Sequence, residues 1–133
     1  MSKKEYAARN AQWLADKAVE PGVKPIGGGV LCRVIESGDA DGRQPNLGSV
    51  VVVNYSGRTI DGHVFDSSSD SVTAPALRLR DLIEGWIIAL TQMHVGDVWE
   101  IYIPSDKAYG KRSQPGIPGN STLIFKIELV GVG

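Results

Sequence analysis

Apolar positions along this chain switch between two periods. Leu82, Ile83, Trp86, Ile87, Leu90 and Met93 form the one-sided stripe of a helix. Asp81 ahead of the stripe, with Glu84 three residues on, makes a capping-box pattern that sets the predicted start; His94 and Gly96 set the stop. On either side the period falls to two. Asp97 to Ile103 alternates Val98, Glu100 and Tyr102 against Trp99, Ile101 and Ile103. Ser121 to Val130 puts Leu123, Phe125, Ile127 and Leu129 on one face. Val30 to Glu36, Ser49 to Ile60 and His63 to Ser67 read as strands, the last two joined by the Asp61-Gly62 turn signal. Ala76 to Leu79 is a short strand leading into the helix. The run Val50 to Val53 implies burial on both faces, or a bend.

Between these elements lie Gly-, Pro- and Ser-rich stretches. Pro25 to Gly29 reads as a linker, Ser37 to Gly48 and Ser67 to Ala74 as loops. Pro104 to Asn120 is a loop longer than the ~12–15 residues that compact domains ordinarily leave without function or disorder. At the other end, Lys3 to Val19 is rich in good helix formers and stops at Pro21-Gly22. Its apolar face is thin, with Tyr6, Trp13, Leu14 and Val19 among alanines. Such a helix docks on the domain, pairs with another chain, or frays, and the pattern leaves these open. The sum is an α+β fold: about five strands in a half-open antiparallel sheet wrapped around one central helix, after an N-terminal helical extension. Residues 1–24 form the extension and linker; residues 25–133 form the domain.

Composition narrows the chemistry. The chain has 133 residues and a formal net charge of -1, with no Lys/Arg run, so nucleic acid and anionic membrane are not expected partners. One cysteine, Cys32, forbids an intramolecular disulfide, and with two histidines makes a structural zinc site a poor reading. Cys32 reads as a packed thiol. His63, His94, Ser67 and Ser68 lack a nucleophile-elbow pattern. No cofactor or metal is expected. Met1-Ser2-Lys3-Lys4 is followed by charged residues rather than an apolar run, which argues for a cytoplasmic protein, or a periplasmic one whose signal peptide has been removed.

Three blocks carry a resemblance. They are Val53-Asn54-Tyr55-Ser56-Gly57 with Asp61-Gly62-His63-Val64-Phe65-Asp66-Ser67-Ser68; Leu82-Ile83-Glu84-Gly85-Trp86; and Ala108-Tyr109-Gly110 with Gly116-Ile117-Pro118 and Ser121-Thr122-Leu123-Ile124-Phe125. In this order and spacing they resemble the FKBP-type peptidyl-prolyl cis/trans isomerases, the macrolide-binding immunophilins. The helix followed by Gly22-Val23 and a Gly-rich link is similar to the bacterial macrophage-infectivity-potentiator branch. The resemblance implies a shallow apolar cup that speeds rotation about X–Pro bonds, with Tyr55, Phe65, Asp66, Ile83, Trp86, Tyr109 and Phe125 as its working residues. Leu82, Ile117, Pro75, Leu77 and Gln114 would complete the substrate-binding wall. It also implies that the main-chain N–H of Ile83 and the hydroxyl of Tyr109 meet ligand carbonyls, and that Asp66 accepts a hydrogen bond from Tyr55. Expected partners are proline-containing or unfolded segments and macrolide inhibitors, with a homodimer through the N-terminal helix as a further expectation. The alternative is a proline-binding chaperone or interaction module with little isomerase activity.

The chain departs from the family pattern in four places. Ser71 stands where several members carry a basic partner for the aspartate. Pro75 and Leu77 replace an aromatic rim, Gln114 takes a position often held by histidine, and Ile117 runs directly into Pro118, shortening the loop tip.

Overall fold

The computed structural model describes residues 1–68 and 74–133. The Ser71 substitution, and most of the loop expected after Ser67, fall outside the described residues. Helix α1 spans Lys3–Ala18, capped by the Ser2 hydroxyl on the Glu5 N–H. The strands are β1 Val23–Gly27, β2 Val30–Glu36, β3 Val50–Arg58, β4 Val64–Ser67, β5 Ala76–Arg78, β6 Val98–Ile103 and β7 Leu123–Val132, with helix α2 Glu84–Leu90 between β5 and β6. Short 3-10 turns occupy Leu79–Asp81 and Ser105–Lys107. The described strands form one antiparallel sheet in the order β1-β2-β6-β7-β3-β4, with β5 also paired to β3.

The sheet therefore has seven strands where the pattern predicted about five. The added edge is β1, which occupies the expected linker. Its Gly and Pro content masked it, but an edge strand tolerates Pro25 because one side of its backbone needs no ladder partner. The valine run in β3 is explained by a bend. Val51 and Val53 are both buried, Val50 is exposed, and the pairing with β7 shifts register between Val52 and Val53.

The concave face of the sheet holds the main core. Val51, Val53, Ile101, Ile103, Leu123, Phe125, Ile127 and Leu129 pack there against Trp86, Ala89 and Leu90 of α2. A fully buried Leu or Ile contributes roughly 1.5–3 kcal/mol, so this layer dominates stability. Gly85 sets how close helix and sheet come. A Cβ at that position would stand 2.5 Å from the Ile103 side chain. The convex face is covered by α1, so the helix docks on the domain rather than fraying. Trp13 and Leu14 close a second cluster over Leu31, Tyr102 and Ile124, with the Trp13 and Tyr102 rings 5.8 Å apart. β6 is consequently buried on both faces.

The start of α2 differs from the predicted capping box. Asp81 belongs to the preceding 3-10 turn, Ile83 is the N-cap, and no side chain among the described residues caps the helix. The helix also stops at Leu90, short of the predicted His94. The Thr91 hydroxyl bonds back to the carbonyls of Ile87 and Ile88, and the Gln92 and Met93 N–H groups fold onto Ala89 and Leu90 in tighter turns.

Candidate active site

At the open end of the sheet, α2 leaves a cup of about 300 Å³ lined by Tyr55, Phe65, Asp66, Leu77, Asp81, Leu82, Ile83, Trp86, Tyr109 and Phe125. Each wall comes from a different element: Tyr55 from β3, Phe65 and Asp66 from β4, Leu77 from β5, Trp86 from α2, Phe125 from β7, and Tyr109 from the loop after β6. Alternation in β7 aims Phe125 inward with Leu123 and Ile127, so the wall and the core share one face.

Four rings form a continuous chain of crossed contacts. Tyr55 meets Trp86 at 5.1 Å and 82°, Trp86 meets Phe125 at 5.1 Å and 89°, and Phe125 meets Phe65 at 5.6 Å and 85°. Edge-to-face packing of this kind is worth ~0.5–1.5 kcal/mol per pair beyond burial. Gly57 makes it fit. A Cβ there would lie 2.5 Å from the Phe125 ring and 2.8 Å from the Phe65 ring. Trp86 forms the floor at 5% exposure, and its indole Nε1 is buried without a hydrogen-bond acceptor among the described residues.

Polar groups are few and placed at the rim. The Tyr55 hydroxyl donates to Asp66 Oδ2 at 3.0 Å. Burial, reinforced by that bond, pushes the Tyr55 phenol up to about 12, so it remains a donor throughout the physiological range. Tyr109 is 38% exposed, and its hydroxyl has no partner among the described residues. Because α2 begins at Glu84 with Ile83 as N-cap, the Ile83 carbonyl accepts from the Trp86 and Ile87 N–H groups. The Ile83 N–H itself donates to no described residue. A 3.4 Å ion pair between Lys107 and Glu84 ties the segment before Tyr109 to the first turn of α2.

Eight of the residues singled out by resemblance thus meet in one cup, as does Leu77 from the altered rim. Three others do not line it. Ile117 is buried in the core, and with Gln114 it borders a neighbouring groove that also contains Thr59, Asp61 and His63. The Gln114 and Ile117 backbones bond each other across a tight turn, which draws both away from the mouth. Pro75 spends its carbonyl on the Val53 N–H beside β5. Asp81 also lines the cup, although its spacing to Glu84 reads as that of a helix cap. Its adjacency to Leu82 was the available signal, and the capping-box pattern hid it.

Residues 41–130 match the family described as FKBP-type peptidyl-prolyl cis-trans isomerase. The chain is 41% identical over 127 residues to the "Peptidyl-prolyl cis-trans isomerase Mip" of Coxiella burnetii, covering 95% of this chain and 54% of that protein. It is 37% identical over 129 residues to the "Outer membrane protein MIP" of Legionella longbeachae, covering 96% of this chain and 54% of that one. The chain spans about half the length of these curated relatives. Among solved structures, a peptidyl-prolyl cis-trans isomerase from Pseudomonas syringae superimposes with a TM-score of 0.90 at 33% identity, covering 100% of this chain and 97% of the other. With the ring-lined cup, the family match over most of the chain and these relatives together, the chain belongs to the FKBP-type peptidyl-prolyl cis-trans isomerases, in their macrophage-infectivity-potentiator branch.

Proposed function

We propose that this protein accelerates cis/trans rotation about X–Pro bonds in unfolded or flexible polypeptides, non-covalently. The observation that carries the reading is a main-chain N–H, that of Ile83, with no partner among the described residues, at the rim of a cup of crossed aromatic rings. An X–Pro bond rotates over a barrier of ~18–20 kcal/mol because amide resonance holds it planar. Rotation requires no bond to break; the catalyst must favour the twisted amide over both planar forms. A twisted amide is less polar across C–N, so a site of Phe65, Trp86 and Phe125 that holds off water favours it.

In this reading each residue of the cup has a role. The proline ring rests on Trp86 between Phe65 and Phe125, with Leu82 and Leu77 closing the side. The Ile83 N–H takes a carbonyl on one side of the rotating bond. The Tyr109 hydroxyl takes another, which fixes one part of the peptide while the other turns. Asp66 holds Tyr55 by its hydroxyl and so keeps that wall upright. Each ~1.4 kcal/mol of preference for the twisted form gives tenfold in rate, so several such contacts supply a few orders of magnitude.

A peptide isomerisation assay with and without a macrolide such as rapamycin tests this reading. Acceleration that the macrolide abolishes supports it. A folded protein that binds proline peptides yet accelerates none of several X–Pro sequences would instead favour a chaperone or interaction module. The compartment that fits best is the periplasmic alternative. Nothing in the comparisons supports the cytoplasmic expectation, and one relative bears an outer-membrane name. A homodimer through α1 would have to use the outer side of the helix, because Thr122 and Tyr102 engage the inner side.

A further inference from the structure

Helix α1 touches more than the convex face of the sheet. Near its start the Tyr6 hydroxyl lies 2.8 Å from Ser121 Oγ, and Ser121 Oγ donates to the Pro118 carbonyl at 2.6 Å. The serine has one hydroxyl proton and that bond uses it, so Tyr6 donates and Ser121 accepts. One turn further, Asn10 is 2% exposed. Its Oδ1 accepts from the Thr122 N–H at 2.8 Å, its Nδ2 donates to the Tyr6 carbonyl at 2.8 Å, and its own carbonyl accepts from the Thr122 hydroxyl at 3.3 Å. Ser121 and Thr122 are each 3% exposed.

These bonds grip the closing end of the loop that frames the cup. Pro118 follows Ile117, which is sunk in the core. Gly116 lies beside Phe65 and His63: a Cβ added there would stand 3.2 Å from the Phe65 Cβ and 3.2 Å from His63 Nε2. On the other side the Asn120 N–H bonds the carbonyl of Gly110, the residue after Tyr109. Three residues past Thr122 comes Phe125. The Tyr6–Ser121–Pro118 relay therefore ends on a loop that touches one cup wall and is stitched beside a second.

We infer that Tyr6 is a positioning residue for the isomerase site: its hydroxyl, acting through Ser121 on the Pro118 carbonyl, sets how the 110–120 loop seats Phe65 and Tyr109. Helix α1 is then a working part of the substrate rim rather than a stalk attached to a complete domain. The inference rests on the isomerase reading for its kinetic consequence but not for its geometric one. Partial loss of the relay loosens the rim while the floor, Trp86 and Ile83, stays in place. The effect should therefore fall on substrate capture.

The test is Tyr6→Phe in the full chain, which removes one oxygen and keeps the ring. The expected result is a KM for X–Pro peptides raised about threefold to tenfold, with kcat within about twofold. Ser121→Ala removes both bonds of the relay and should raise KM at least as much, and the double variant should change no more than Ser121→Ala alone. Amide NMR shifts supply a readout independent of activity. In Tyr6→Phe the resonances of Gly116, Ile117, Tyr109 and Gly110 should move while those of β1 and β2 stay. Glu20→Gln is the control, since it breaks the ion pairs to Lys17 and Arg33 at the opposite end of the helix; KM and the loop resonances should be unchanged. Unaltered loop shifts and KM in Tyr6→Phe would overturn the inference, as would equal changes in Glu20→Gln. An inactive wild type would sink the isomerase reading, and the loop shifts would still decide the relay.

Discussion

Gly57→Ala probes the cup without deleting any wall. Gly57 lies in β3 behind the Phe65 and Phe125 rings, and its paired backbone accepts any residue; the obstacle is space. The added methyl would sit 2.5 Å from Phe125 Cε1, 2.9 Å from its Cδ1 and 2.8 Å from Phe65 Cζ. All three are well inside the ~3.5–4.0 Å at which carbons rest together, so both rings must move. Phe125 cannot retreat far, because it is 4% exposed with Trp86 at its edge. Overpacking of this kind costs ~1–3 kcal/mol. At about 4 °C per kcal/mol for a domain of this size, a cost of ~2 kcal/mol lowers the melting temperature by about 8 °C. The displaced rings also enter the space meant for the proline. Losing ~1.4 kcal/mol of preference for the twisted amide lowers kcat/KM about tenfold. A thermal melt followed by circular dichroism and a peptide isomerisation assay read the two effects. A variant that melts and turns over like the wild type would refute the packing of this wall.

Three further outcomes are expected. Ile83→Pro removes the rim N–H at a residue whose φ is already -60°, so the fold should survive while kcat/KM falls about three- to tenfold, the worth of one ~1 kcal/mol hydrogen bond plus lost wall contact; a collapsed circular dichroism spectrum or unchanged kinetics counts against it. Asn10→Ala leaves the buried Thr122 N–H without an acceptor and should cost ~1–3 kcal/mol in urea unfolding; an unchanged unfolding midpoint would contradict the assigned bond. The folded Tyr55 phenol ionises near 12 rather than at its usual value near 10, so the folded state holds the proton more tightly than the unfolded one. Its stabilisation is complete below about pH 10 and is lost as pH rises from there through about 12, so Tyr55→Phe should flatten the alkaline loss of stability in that window; an identical pH profile would reject the shift.

Regular alternation made β6 and β7 legible, because each residue's neighbours two positions away share its face. Resemblance supplied the inward set Tyr55, Phe65, Trp86 and Phe125, for which periodicity alone gives only core membership. What stayed hidden has identifiable causes. β1 carries Pro25, which local rules read as a break and which only the sheet edge makes tolerable. Asp81 and Glu84 have capping-box spacing, yet the chain makes a 3-10 turn first, so the helix starts two residues later. Asn10 is a polar residue on a helix, with nothing local to say that its amide closes onto Thr122, 112 positions away. Gln114 and Ile117 were carried over by position, and the short turn between them decides where they point.

The place of β7 in the sheet has a consequence for how the molecule comes into being. β7 is the last strand of the chain, yet it lies at the centre, paired with β6 on one side and β3 on the other. Without it, the other described strands could pair only as two unjoined groups, β1-β2-β6 and β4-β3-β5. During synthesis both halves leave the ribosome with their inner edges bare, and such edges invite pairing with other chains. The cup cannot half-form, since Phe125 arrives with the strand that unites the halves. Closure of the cup and completion of the sheet therefore await the same strand, through contacts distant in sequence and slow to close.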